Sequence, residues 1–286
     1  MANVHSQSLA ALAERARSAP RSEFPRFIRE GAPQVLIALV GNPNLGEPEL
    51  LKLLKRKNLP REAVQGIASR KEAGHSYRIK LSIAQHPRCP RQLALPLLKF
   101  LFLFDLLRVC QSPAVPADIK MVAEEMILKR AEGIPRGEKM SLARRATGRV
   151  AASLLLSHDN GLIEAALDNP FLTEAQLLKV LSRTDVVDEL LVGRVARHAK
   201  WSHRYHIRLS LLRNPSLPFP QVLAFVPDLT VSDLRTICLD QKMNEKVRKY
   251  LWTYCEERLK DRKQKLKSKS SDTVPKKLAS EGEPSP

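Results

Sequence analysis

The sequence predicts an all-α fold, an α-solenoid of stacked helical hairpins with an internal duplication. Two alignments and one pattern carry that prediction. The stretch Asn42-Pro43-Asn44-Leu45-Gly46-Glu47-Pro48-Glu49-Leu50-Leu51-Lys52-Leu53-Leu54 returns, with the numbering advanced from 42 to 169, as Asn169-Pro170-Phe171-Leu172-Thr173-Glu174-Ala175-Gln176-Leu177-Leu178-Lys179-Val180-Leu181, and 8 of 13 positions are identical. Residues 75–90 return as 203–218: His75/His203, Tyr77/Tyr205, Ile79/Ile207, Leu81/Leu209, Ser82/Ser210, Pro87/Pro215 and Pro90/Pro218 are identical. Asp105-Leu106 and Cys110 align with Asp233-Leu234 and Cys238 in the same way. The order of elements repeats without any strand–helix alternation, so nothing calls for a sheet.

The repeated segment is a turn with a physical logic. A proline disfavours the α conformation in the residue before it, so a helix ends there. Asn tolerates the left-handed backbone that closes many helices. Three residues after that proline stands Gly46, Pro90, Pro116, Thr173 or Pro218; proline suits the first helical turn and Thr caps one. Thr173 and Gln176 have capping-box spacing. The structural turn residues are therefore Asn42, Pro43, Pro87, Pro113, Asn169, Pro170, Asn214 and Pro215.

The elements follow in order. Residues 1–32 read as an N-terminal capping helix, over 8–18, and a connector. Residues 33–131 form the first repeat half. Val35 to Val40 leads into the first turn, and Leu50, Leu51, Leu53 and Leu54 line the next helix while Lys52, Lys55, Arg56 and Lys57 crowd its outer side. Tyr77, Ile79, Leu81 and Ile83 alternate like a strand, but they stand where every other copy has a helix, so a helix is expected. One apolar helix is expected over 93–104 and another over 118–131. Residues 132–159 read as a turn-rich joint and a bridging helix over 141–157. Residues 160–259 form the second half. Residues 260–286, rich in Lys, Ser, Glu and Pro, bury too little to offset ordering entropy and are expected to be disordered.

Composition narrows the function classes. The 286 residues are 43% hydrophobic and 27% charged, a globular balance, with a net charge of +18. Residues 258–286 hold 9 Lys/Arg against 4 Asp/Glu, so the body keeps about +13. A basic body directs attention to anionic partners: nucleic acid, an acidic protein or anionic lipid. Cys89, Cys110, Cys238 and Cys255 form no Cys-x-x-Cys pair, and the Cys110/Cys238 equivalence points to core positions in a reducing compartment. With no signal-peptide core and no apolar run long enough to span a bilayer, a cytoplasmic protein is expected. Neither a cofactor nor a metal site is expected, and the oligomeric state is not encoded in any motif.

Two basic segments are the candidate anionic-partner sites. Between Arg194 and Arg213 no acidic residue intervenes, and Lys200, Trp201, Arg204 and Arg208 combine cations with an aromatic, as phosphate neutralisation and base stacking require. Trp201 has only Ala73 at its equivalent position, so repeat packing explains it least. Arg136, Lys139, Arg144, Arg145 and Arg149 enter a helix at the joint, where backbone N–H groups can assist anion binding. Neither segment is a P-loop, and no hydrolase, metalloprotease or dinucleotide motif is present.

The pattern Asn-Pro-x-x-Pro/Thr with following leucines resembles the bacterial leucine-rich repeat variant and, more widely, HEAT- and armadillo-like α-solenoids. It rests on Asn42-Pro43 with Leu50 and Leu53, Asn169-Pro170 to Thr173 with Leu177, and Asn214-Pro215 to Pro218 with Val222. The spacing here is longer and irregular. The resemblance implies a partner-binding superhelix that is not an enzyme. The expected function is therefore a non-enzymatic scaffold for a macromolecular partner, a protein first and nucleic acid as the alternative. A HEAT-like-repeat DNA glycosylase using Trp201 or Trp252 and Asp233 is the further alternative.

Overall fold

The structure, a computed structural model, describes residues 2–240 and 243–271. Every regular element among the described residues is helical: α1 (Ala2–Ser18), α2 (Phe24–Glu30), α3 (Pro33–Val40), α4 (Glu47–Leu54), α5 (Arg61–Ala68), α6 (Lys71–His75), α7 (Tyr77–Ala84), α8 (Arg91–Leu98), α9 (Leu103–Gln111), α10 (Ala117–Ala131), α11 (Arg136–Arg145), α12 (Gly148–Leu154), α13 (Asn160–Leu167), α14 (Glu174–Leu181), α15 (Glu189–Arg197), α16 (Tyr205–Leu212), α17 (Phe219–Phe225), α18 (Val231–Cys238) and α19 (Glu245–Ser271). The chain divides into two compact units, residues 1–151 with 169–171, and residues 152–168 with 172–286.

A helix of two turns is unstable alone, so each must bury a face. In α4 that face is Leu50, Leu53 and Leu54, in α5 Ala63, Val64 and Ile67, and in α7 Ile79, Ile83 and Ala84. Within the first unit α3 packs on α1 and α5, α4 on α7, and α10 on α8 and α9. Within the second, α13 packs on α15, α14 on α16, and α18 on α16 and α19. The stretch that alternates like a strand is helical throughout α7, because its apolar residues are shared between neighbours on several sides.

One turn joins many of these helices. Its first residue donates its N–H to the carbonyl three residues back, and its own carbonyl accepts from a buried residue three ahead. Asn42 does this with Leu39 at 2.9 Å and Leu45 at 3.2 Å. Arg56, His86, Ser112, His198 and Asn214 repeat it with Leu59, Cys89, Val115, Trp201 and Leu217 at the buried end. The turns at Arg56 and His198 have no following proline, so the proline signature does not reveal them.

The aligned residues make the same contacts twice. Asn42 is fully buried and its amide donates to the carbonyls of Ala16 (2.9 Å) and Ala19 (3.0 Å) while Oδ1 accepts from Asn44 N–H (2.9 Å). Its counterpart Asn169 donates to Ala143 (2.6 Å) and Ala146 (3.0 Å) and accepts from Phe171 N–H (2.7 Å). The Tyr77 hydroxyl donates to Asp105 and accepts from Phe102 N–H at 3.0 Å; the Tyr205 hydroxyl donates to Asp233 and accepts from Thr230 N–H at 3.3 Å. Arg130 reaches the Leu101 carbonyl, and Arg258 the Leu229 carbonyl. Asn214 lacks part of this pattern: Oδ1 accepts from Ser216 N–H at 2.9 Å, but its amide nitrogen has no acceptor among the described residues.

Four expectations need correction. The connector over 21–33 holds a 3-10 turn and α2, which carries Pro25 in its first turn and is capped by Gly31 with φ 76°. The apolar run 93–104 is two helices. Pro96 sits inside α8, the N–H groups of Lys99, Phe100 and Leu101 bond three residues back, and extended Phe102 starts α9. The bridging helix is likewise broken, because Ala146 is extended and gives its carbonyl to Asn169. The tail is helical as far as Ser271, and 272–286 lie outside the described residues.

Candidate anion-binding groove

A concavity of the first unit lies between α4 and α7. It has a volume of about 840 Å³. Leu51, Leu54, Leu81, Pro48 and Pro87 give it an apolar floor, and Lys52, Lys55, Lys57 and Arg78 line it with cations. The geometry follows from periodicity. Leu50, Leu53 and Leu54 turn α4 inward, which leaves Lys52 and Lys55 outward; Ile79 and Ile83 turn α7 inward, which leaves Arg78, Ser82 and Gln85 toward the groove. Lys57 extends the row through the turn at Arg56.

None of these four cations forms an ion pair among the described residues. The one acid in the lining, Glu47, accepts a hydrogen bond from the Ser76 hydroxyl at 2.9 Å. His86 adds no charge. Burial pushes its pKa down, its Nε2 lies 2.9 Å from the Arg56 carbonyl, and its Nδ1 accepts from Arg88 N–H. That pairing fixes the neutral tautomer with the proton on Nε2. Four cations, one carboxylate and an aliphatic floor with no aromatic ring suit carboxylates or phosphates held beside apolar groups.

The duplication shows that the fold does not need this charge. The residues corresponding to Lys55, Lys57 and Arg78 are Ser182, Thr184 and His206; only Lys52 has a basic counterpart, Lys179. The sequence places Lys52, Lys55 and Lys57 on one outer side, but the contribution of Arg78 requires the packing of α7 on α4, which no local pattern reveals.

The nine residues singled out from sequence fall into both units and into different roles. Arg136, Lys139, Arg144, Arg145 and Arg149 belong to the first. Lys139 donates to the Glu132 carbonyl at 3.2 Å, and Arg149 lies 3.5 Å from Glu124 and 3.7 Å from Glu125, so its charge is matched locally. Arg144 and Arg145 are exposed in the last turn of α11. In the second unit Lys200 is exposed, with its ammonium 4.3 Å from the Trp201 ring. Arg204 pairs with Glu174 at 3.6 Å, the counterpart of the Ser76–Glu47 bond.

Trp201 and Arg208 are corrected outright. Trp201 is 2% exposed and its indole N–H donates to the Leu167 carbonyl at 2.9 Å. It fills the buried position of the His198 turn that Leu45 fills in the Asn42 turn, so it has no face for a base. Arg208 donates to the Ser202 carbonyl and to Asp228, and its guanidinium covers the Phe225 ring at 5.2 Å. Asp233 is likewise committed to structure. Hydrogen bonds from Thr230 and then Tyr205 hold its carboxyl below the usual range. Among the described residues no group of three or more His, Cys, Asp or Glu side chains could hold a metal ion.

No family model matches the chain, and neither a curated protein nor a solved structure does.

Proposed function

We propose that this chain is a non-enzymatic α-solenoid scaffold, built by duplication of a helical-hairpin array, that holds an acidic segment of a partner protein in the α4–α7 groove. The observation that carries the reading is the convergence of Lys52, Lys55, Lys57 and Arg78, none of them ion-paired among the described residues, over an aliphatic floor. A cation without a counter-charge beside apolar surface recognises a carboxylate flanked by aliphatic side chains. The recurring Asn-Pro turn supports kinship with leucine-rich-repeat-variant and HEAT-like arrays, whose proteins bind more than they catalyse.

Fluorescence anisotropy with an acidic, leucine-containing peptide tests it. The variant Lys52→Glu, Lys55→Glu, Arg78→Glu should bind at least ~10-fold more weakly, with wild-type binding weakened by salt. Equal binding by both proteins would remove the groove from the function. Nucleic acid is the second reading, favoured by exposed Arg144, Arg145 and Lys200. A DNA or RNA oligonucleotide in the same assay that outcompetes the peptide, with log affinity falling at roughly 0.9 per phosphate contact against log salt, would make it the first. Product release from alkylated DNA would be needed to revive the glycosylase reading.

A further inference from the structure

The doubled contacts provide a control for side chains that packing does not require. Phe100, Phe102 and Phe104 are 61%, 69% and 39% exposed where the chain leaves α8 and enters α9. Three exposed phenylalanines at alternate positions of one short segment are apolar surface of the kind that marks an interaction site. Their counterparts in the second half are Asp228, Thr230 and Ser232. That second corner makes the same framework bonds: Thr230 N–H to the Tyr205 hydroxyl as Phe102 N–H to Tyr77, and Arg258 to Leu229 as Arg130 to Leu101. The corner therefore folds with polar side chains: Phe102 packs on the Tyr77 ring at 4.8 Å, but the second corner forms without that contact, and Phe100 and Phe104 have no counterpart in its packing.

The surroundings are apolar and basic. Beside Phe100 lies a hollow of about 260 Å³ lined by Ala68, Ala73, Gly74, Ile83 and Leu97. The Lys80 ammonium stands 4.7 Å from the Phe100 ring centroid, and Lys99 is exposed next to it in sequence. The nearest carboxylate in sequence on each side of this corner is occupied: Asp105 by Tyr77 and by Arg108 at 3.2 Å, and Glu72 by Arg70 at 3.1 Å.

We propose that this corner docks on the surface of an anionic bilayer. Phe100, Phe102 and Phe104 enter the boundary between headgroups and acyl chains, and Lys80 and Lys99 meet lipid phosphates. Buried apolar area and nearby cations add in such binding, and exposed aromatic rings beside lysines that form no ion pair among the described residues match both parts of a lipid surface. Among the described residues no helix is long and apolar enough to cross the bilayer. The surface is independent of the groove, because Arg78, Leu81, Ser82 and Gln85 of the α7 region line the groove whereas Lys80 and Ile83 line the hollow.

Co-sedimentation of the full chain with phosphatidylcholine vesicles containing about 30 mol% phosphatidylglycerol tests it, with pure phosphatidylcholine alongside. A chain of net charge +18 adheres to anionic vesicles by charge alone, so the readout is the comparison with Phe100→Asp, Phe102→Thr, Phe104→Ser, the residues of the counterpart corner. The wild type should partition at least ~10-fold more strongly than this variant and keep part of its binding at about 0.5 M salt, with helicity and acidic-peptide binding the same in both. Equal partitioning of the two proteins, or no binding by either, overturns the proposal. So does wild-type self-association in sedimentation that the variant abolishes, which would make the patch a contact between copies.

Discussion

The buried asparagines show most directly how single residues hold the fold. Asn42 and Asn169 each return two carbonyls of an earlier helix end to a hydrogen-bond partner. Removing the amide leaves those carbonyls buried and unmet, at about 1–3 kcal/mol each before relaxation. Asn42→Ala or Asn169→Ala should therefore destabilise by about 2–4 kcal/mol in urea unfolding, whereas Asn214→Ala, whose amide nitrogen meets no acceptor, should cost less than about 1.5 kcal/mol. Comparable losses at all three positions would refute this account. These asparagines were legible in the sequence as turn residues, because an Asn before Pro is a local signal. Their partners were not: the bonds reach across whole helices and loops to earlier turns of the chain, and nothing local marks Ala16 or Ala143 as an acceptor. Trp201 was misjudged for a related reason. Its turn starts at His198 and continues with Ala199, so, as at Arg56, the proline that identifies the Asn42, His86, Ser112 and Asn214 turns is missing.

At the scale of elements, helix existence was readable and helix ends were not. The run over 93–104 contains no glycine at its break, where Pro96 tightens the last turn of α8, and the run over 141–157 breaks just before Gly148, where Asn169 claims the Ala146 carbonyl. The short helices also bury all four thiols. Burial pushes Cys89 up to about 11 and Cys110 to about 12 from an ordinary 9.0. Up to about pH 8 both folded and unfolded chains keep these protons, and stability is unaffected. Between about pH 9 and 11 the unfolded chain loses them while the folded one does not, so stability falls by up to ~1.4 kcal/mol per pH unit for each thiol. Thermal melts should be level from about pH 7 to 8 and decline above about 9, and the Cys89→Ala, Cys110→Ala variant should decline less steeply. Parallel slopes for the two proteins would show that other groups dominate.

For the whole molecule, charge was legible as a sum and not as a distribution. Many arginines are used on backbone: Arg70 donates to the carbonyls of Val40 (2.7 Å), Asn42 (2.9 Å) and Leu45 (2.9 Å), and Arg88, Arg130, Arg248 and Arg258 do similar work. Net charge alone should therefore predict binding poorly. Lys52→Gln, Lys55→Gln, Lys57→Gln and Lys269→Gln, Lys276→Gln, Lys277→Gln both lower the net charge from +18 to +15. The first set should weaken acidic-peptide binding by at least ~10-fold and the second by less than ~2-fold. Similar losses would mean that the peptide senses only overall charge.

The orphaned amide of Asn214 bears on how the molecule comes apart. Its two relatives stitch neighbouring helices across a gap, and this one has let go of its thread. The α16–α17 corner is therefore expected to exchange its amide hydrogens sooner than the corners at Asn42 and Asn169.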